Sequence, residues 1–308
     1  MIQRRSLARM RYIHFIVICV FLTGCFGVPF ATQGVQPPLI YDEADLRRTN
    51  KVVIFIPGAL SSVNVFDATT FWEDAGYTRA FYRYPGLDDL PLDHRVTPEV
   101  AAANIAAFAN AHPDKDIALV GYSTGGPIAL LAAPQISKGR SIHVAAMSTA
   151  VEYGGGFPTA LRGLQDIWRA VAATGSLSRE VLWKEFWAGL LYGPAAMDDP
   201  AFADRLKRDV ALGEKFFVEL NPSIALAHTL ALPTWELPDD LHLTNIPVAF
   251  FVGLNDRVFT TADTQEFSRQ LGGVTIYGYP EQGHLLFFTQ PSVYRDMLAF
   301  AQDRPVIR

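Results

Sequence analysis

Apolar residues come in short bursts along most of this chain, separated by amphipathic stretches and by breaks rich in glycine or proline. The bursts at 51–56, 81–84, 117–120, 142–147, 246–252 and 274–279 read as strands. The run Val52-Val53-Ile54-Phe55-Ile56 has no polar alternation, which suits a parallel strand covered on both faces. A shorter run at 39–41 follows the breaker Gln36-Pro37-Pro38 and leaves room for only a reduced first edge. Between the strands, helical spacing predicts helices over 65–75, 98–111 (with Thr97 as N-cap), 127–133 and 261–271. A terminal helix is expected from about Pro291, with Tyr294, Met297, Leu298 and Phe300 on its apolar side. Strand and helix in alternation predict an α/β fold, a mostly parallel sheet with helices on both faces.

That rhythm stops between 151 and 243. The stretch opens on Gly154-Gly155-Gly156 and carries helical patterns with Trp168, Trp183, Phe186, Trp187, Tyr192, Phe202, Phe216, Phe217 and Trp235. It is expected to be an inserted helical cap. Most of these aromatics would form the cap's own core, and a few would line an apolar substrate pocket. The expected division is a leader at 1–24, a tether and lead-in at 25–50, a core from 51–150 and 244–308, and the cap at 151–243.

At 308 residues, 50% hydrophobic and 19% charged, the chain can bury a large core without disulfides. A net charge of −5 argues against nucleic acid as a partner. The first residues stand apart. Arg4, Arg5, Arg9 and Arg11 precede an apolar run at 12–22, then Leu22-Thr23-Gly24-Cys25. This resembles a bacterial lipoprotein signal, which implies cleavage before Cys25, lipid on its sulfur, export to the cell envelope and membrane attachment. An ordinary cleaved secretory signal and an uncleaved anchor are the alternatives, and Arg4-Arg5 faintly resembles a twin-arginine signal. Both cysteines, Cys19 and Cys25, fall in or beside this leader, so the body has no internal disulfide. Losing the leader arginines leaves 22 cations against 31 acids, so a lipid anchor, not surface charge, would hold the protein to a membrane.

The chemistry starts at Gly121-Tyr122-Ser123-Thr124-Gly125, a G-x-S-x-G between a predicted strand and a predicted helix. In that setting the motif places a serine at the apex of a strained turn, where side chains at Gly121 and Gly125 would collide. Two more strand ends carry Gly253-Leu254-Asn255-Asp256 and Gln282-Gly283-His284. The carboxyl ends of parallel strands share one edge, so Ser123, Asp256 and His284 are expected to meet there.

With these three motifs in the order Ser, Asp, His, the chain resembles the α/β-hydrolase superfamily over nearly its whole mature length. The resemblance implies Ser123 as nucleophile, His284 as general base and then acid, and Asp256 as the residue orienting the imidazole. It also implies an oxyanion hole from the backbone N–H groups of Thr124 and Ala59. Where family members often have His-Gly, this chain has Pro57-Gly58, which leaves Leu60 as an alternative to Ala59. Asp263 and Glu152 are alternative acids. His228 and His242 are cap residues that could touch substrate, and His14, His94, His112 and His143 have no strand-edge setting. The implied reaction is cleavage of a carboxylic ester, on a small-molecule or lipid-like substrate, through an acyl-enzyme. An acyltransferase, thioesterase, amidase or carbon–carbon hydrolase would use the same residues, and a non-catalytic binding protein would use only the scaffold. No cofactor or metal is implied.

Overall fold

Seven strands form one sheet among the described residues: β1 (Leu39–Tyr41), β2 (Lys51–Ile56), β3 (Tyr77–Tyr82), β4 (Asp116–Tyr122), β5 (Ile142–Met147), β6 (Val248–Gly253) and β7 (Thr275–Tyr279). The structure is a computed structural model. It describes residues 36–94, 97–150, 187–193, 199–213 and 237–307, together with 175, 196, 223 and 224. The leader with His14 and Cys25 lies outside the described residues, and so do Glu152, Trp168, Trp183, Phe186, Phe216, Phe217, His228 and Trp235.

The strand order is β1-β3-β2-β4-β5-β6-β7. Every neighbouring pair is parallel except β1 with β3, the short antiparallel edge. After β2 the chain moves to one side of the sheet, and after β4 it moves to the other. The crevice between the carboxyl ends of β2 and β4 is therefore the topological switch point, where open α/β sheets place their ligands. Register brings those ends level: Gly121 of β4 pairs with Ile56 of β2 and with Ala146 of β5.

The central strands β2, β4, β5 and β6 are largely apolar because alternate residues feed two cores. Val52, Ile54, Ile56, Leu119, Val144 and Phe250 pack on one face with α3 (Pro98–Ala111) and α4 (Gly125–Ala132). Val53, Phe55, Val120, Met147 and Phe251 pack on the other with α8 (Val293–Ala301), which contributes Tyr294, Met297 and Leu298. Phe267 of α6 (Thr261–Gln270) joins the first core. Trp187 and Tyr192, from a helical segment at 187–192, belong to the second core, so these two aromatics share a cluster with the sheet and do not form a core apart from it. A further helix of the inserted region, α5 (Ala203–Gly213), lies beside them.

The structure departs from the hydrophobic pattern in four places. The third strand begins at Tyr77, not at 81, because Arg79 hides it from an apolar count. Arg79 Nε donates to Glu73 Oε1 (2.6 Å), and its guanidinium stands 5.3 Å from the Phe81 ring. The helix expected over 65–75 is a 3-10 turn (Val63–Thr69) followed by α2 (Phe71–Asp74). The Thr69 hydroxyl donates to the Phe66 carbonyl (2.6 Å), a local bond that competes with regular helix geometry. The lead-in also contains α1 (Glu43–Arg48), capped by Asp42 with acids in its first turn and Arg47 and Arg48 in its last. A one-turn helix, α7 (Leu286–Thr289), precedes α8, whose first residue is Val293 and not Pro291.

Candidate active site

Ser123 follows the last residue of β4 and has φ 51°, a conformation L-residues adopt only when their surroundings enforce it. Its N–H donates to the Met147 carbonyl (2.8 Å). Its carbonyl accepts from the Gly126 N–H (3.0 Å) and the Thr149 hydroxyl (2.9 Å). The turn is closed by contacts that no side chain could enter. A Cβ on Gly121 would lie 2.3 Å from the Gly125 carbonyl oxygen, as the motif implies. At Gly125 the obstacle is different: a Cβ there would lie 2.1 Å from the Ile56 carbonyl oxygen, so the neighbouring strand requires this glycine.

The acid loop follows β6 and the histidine loop follows β7. Asp256 Oδ1 accepts from the N–H groups of Val258 (2.8 Å) and Phe259 (3.1 Å), and Oδ2 pairs with His284 Nδ1 (2.8 Å). With the carboxylate as acceptor, Nδ1 carries the ring proton and donates it. Nε2 is then left as an acceptor, 3.2 Å from Ser123 Oγ. The Asp256 side chain is 1% exposed and that of His284 is 7%, so the pair is shielded from water. The His284 ring is flanked by Tyr122 (centroids 5.4 Å apart) and Phe259 (5.8 Å). Burial, and secondarily the Asp256 charge, hold the Tyr122 phenol well above its ordinary pKa.

The structure thus brings Ser123, Asp256 and His284 into one hydrogen-bonded line. Asp263 is occupied elsewhere: it forms a capping box with Thr260 at the start of α6, its Oδ2 accepting from the Thr260 N–H (2.7 Å). His143 sits at the opposite end of the strands. Its Nε2 pairs with Asp303 (3.0 Å) and its Nδ1 lies 3.3 Å from Ser141 Oγ, but the Asp303 carboxylate is 79% exposed, so water screens the pair. His94 pairs with Asp93 (2.6 Å), His112 caps α3, and His242 is exposed. Among the described residues no group of three or more His, Cys, Asp or Glu side chains could hold a metal ion.

The loop after β2 is pressed against the serine. A Cβ on Gly58 would lie 3.0 Å from Ser123 Cβ, which places Ala59 one residue from that contact, while Thr124 adjoins Ser123 in the chain and is buried. Leu60 has φ 62°, a left-handed non-glycine that the loop must be braced to hold. The bracing comes from the turn after β3. The hydroxyl of buried Tyr84 donates to the Pro57 carbonyl (2.8 Å). The Asp88 carboxylate accepts from the Val63 N–H (3.0 Å) and from the Ser62 hydroxyl. No sequence signal marks Tyr84 or Asp88 for this task, because both partners lie more than 20 residues away.

A family model described as the alpha/beta hydrolase family matches residues 53–297. No curated protein matches the chain in sequence. Solved structures match in fold. A candidate non-heme bromoperoxidase from Mycobacterium tuberculosis aligns with a TM-score of 0.67 at 16% identity, over 90% of this chain and 99% of that one. A thermophilic esterase from Thermogutta terrifontis aligns with a TM-score of 0.63 at 15% identity, over 88% and 97%. The enol-lactonase of Burkholderia xenovorans gives 0.63 at 12%, over 86% and 96%.

Proposed function

Because the chain belongs to the α/β hydrolase family, we propose that it is a serine hydrolase cleaving a carboxylic ester through an acyl-enzyme. The observation that carries this reading is the buried line from Asp256 through His284 to Ser123, with separations of 2.8 and 3.2 Å. A serine hydroxyl is a weak nucleophile at neutral pH unless a base stands within hydrogen-bond reach, and Nε2 of His284 does. Ser123 Oγ attacks the acyl carbon as its proton passes to Nε2. Asp256 keeps the ring in the tautomer that can accept that proton and stabilises the imidazolium. The proton then goes to the departing alkoxide, and water repeats the sequence to release the acid.

The oxyanion is assigned to the backbone N–H groups of Ala59 and Thr124. Thr124 stands at the positive end of α4. Each donor is worth about 3 kcal/mol in the transition state. Two structural relatives are described as an esterase and an enol-lactonase. A lactone is a cyclic ester, so both descriptions are in keeping with ester chemistry, although the likeness is one of fold. The inserted region 151–243 is assigned the role of cap and substrate selector. Residues 1–24 are assigned as a lipoprotein signal with lipid on Cys25, a reading that fails if the parent takes up no labelled palmitate.

A chain-length series of p-nitrophenyl esters tests the chemistry. Ser123→Ala should lower kcat by about 10⁴-fold or more on every ester. Equal activity in parent and variant would overturn the reading.

A further inference from the structure

The helical segment at 187–192 ends on the loop that carries His284. The Gly283 N–H donates to the Leu191 carbonyl (2.8 Å), and the Leu285 N–H donates to the Leu190 carbonyl (3.2 Å). These two bonds bracket His284 in the chain and fix the peptide planes near it on both sides. The contact is close because two glycines permit it. A Cβ on Gly283 would lie 2.4 Å from the Leu190 carbonyl oxygen, and one on Gly193 (φ 82°) would lie 2.5 Å from the Asn255 carbonyl oxygen. One short segment of the inserted region is therefore packed against both the acid loop and the histidine loop, which also meet each other directly through the Asn255 N–H and the Gln282 carbonyl (2.8 Å).

That segment is anchored in turn to α5. The Tyr192 hydroxyl donates to Asp209 Oδ2 (2.5 Å) and accepts from Arg205 Nε (3.0 Å), whose guanidinium lies 4.5 Å from the Tyr192 ring centre. Tyr192 is 1% exposed and Asp209 is 9% exposed. Burial first, then the bond to Asp209, push the Tyr192 phenol up to about 12, so it remains a donor at any working pH. At the segment's other end, Trp187 lies against Gly213, the last residue of α5.

We propose that Tyr192 and Asp209 are positioning residues for His284, acting through the Leu190 and Leu191 carbonyls. This rests on the reading of Ser123, His284 and Asp256 as a triad. Asp256 sets one hydrogen bond to the imidazole, and the Asn255 N–H holds the loop at the Gln282 carbonyl (2.8 Å), which leaves the residues on either side of His284 to be fixed. The two carbonyls of the inserted segment complete that placement at Gly283 and Leu285, and so help set the 3.2 Å separation between Nε2 and Ser123 Oγ. Misplacement of a reacting group by 1 Å costs up to about a hundredfold in rate. The inserted region thus contributes to the rate on any substrate, besides selecting which one binds.

The test measures kcat and KM of Tyr192→Phe, Asp209→Ala and Asp209→Asn on p-nitrophenyl acetate and octanoate. Tyr192→Phe and Asp209→Ala should lower kcat roughly tenfold on both esters, with KM within about twofold of the parent. Asp209→Asn keeps an oxygen acceptor for Tyr192 and should recover most of that loss. A change confined to KM, or to the longer ester, would overturn the proposal in favour of a substrate-lining role. The rate at which a fluorophosphonate labels Ser123, taken per folded molecule by near-UV circular dichroism, covers a variant that folds poorly. Parent left unlabelled would sink the triad itself. Parent labelled, with Tyr192→Phe labelled as fast, would sink this proposal and leave the triad standing.

Discussion

Ser123 and His284 lie 3.2 Å apart, yet they are held by different parts of the chain. The serine elbow is held by the sheet: the Met147 carbonyl, the Thr149 hydroxyl and the backbone at Ile56 belong to β2, β5 or the two residues that follow β5. The histidine loop is held at Gly283 and Leu285 by carbonyls from the inserted region, more than 90 residues earlier in the chain. One half of the site is built into the core of the fold, and the other leans on an insertion. A change in the elbow should therefore be felt in stability and rate together, while a change at the histidine loop should be felt mainly in rate.

Asp256→Asn is expected to have the largest effect, because Asp256 orients the ring that reaches Ser123. An amide keeps only one acceptor, so it cannot both receive the Val258 and Phe259 N–H groups and receive the His284 Nδ1 proton. The ring is left in the wrong tautomer, and kcat should fall about 10⁴-fold with little change in melting temperature. A drop under tenfold would mean the aspartate is not the orienting acid.

Gly125→Ala comes next. Its Cβ would drive into backbone at Ile56, and rigid β2 has nowhere to move. A loss of about 3 kcal/mol is expected, at the upper end for overpacking. That corresponds to roughly 6–12 °C in melting temperature, accompanied by loss of ester hydrolysis. Gly283→Ala offers the contrast. Its Cβ meets the Leu190 and Leu191 carbonyls, which belong to a short helical segment outside the hydrogen-bonded sheet. Hydrolysis should fall by about tenfold or more while the melting temperature drops less than in Gly125→Ala. Equal melting losses in the two variants would erase the distinction between a sheet-held and an insertion-held half.

The smallest effect should appear in alkali. Tyr192 and Tyr77 are raised to about 12, and Tyr122 lies well above 10, in each case by burial first. Their pKa values are higher folded than unfolded, so their contribution is complete below pH 10 and is lost as pH rises from 10 through 12. Because Tyr122 adjoins the elbow and Tyr192 the insertion, both halves should weaken over the same window. A melting temperature that stays flat from pH 9 to 11.5 would contradict the burial of these phenols.

Much of this molecule could be read from residue order. The apolar runs at 51–56, 117–120 and 142–147 marked strands because burial on both faces removes any need for polar alternation. The elbow could be read because Gly121, Ser123 and Gly125 form a motif within one turn, although the reason Gly125 must be glycine lies at Ile56 of β2. Asp256 and His284 could be placed because parallel strands put all their carboxyl ends on one edge. What the sequence could not determine rests on partners distant in the chain. The Tyr84 hydroxyl and Asp88 carboxylate that brace the loop at 57–63, and the Leu190 and Leu191 carbonyls on the histidine loop, are common groups that name no partner in the sequence. Such a group acquires its role only when the fold brings its partner within hydrogen-bond distance, and that decision belongs to tertiary structure alone.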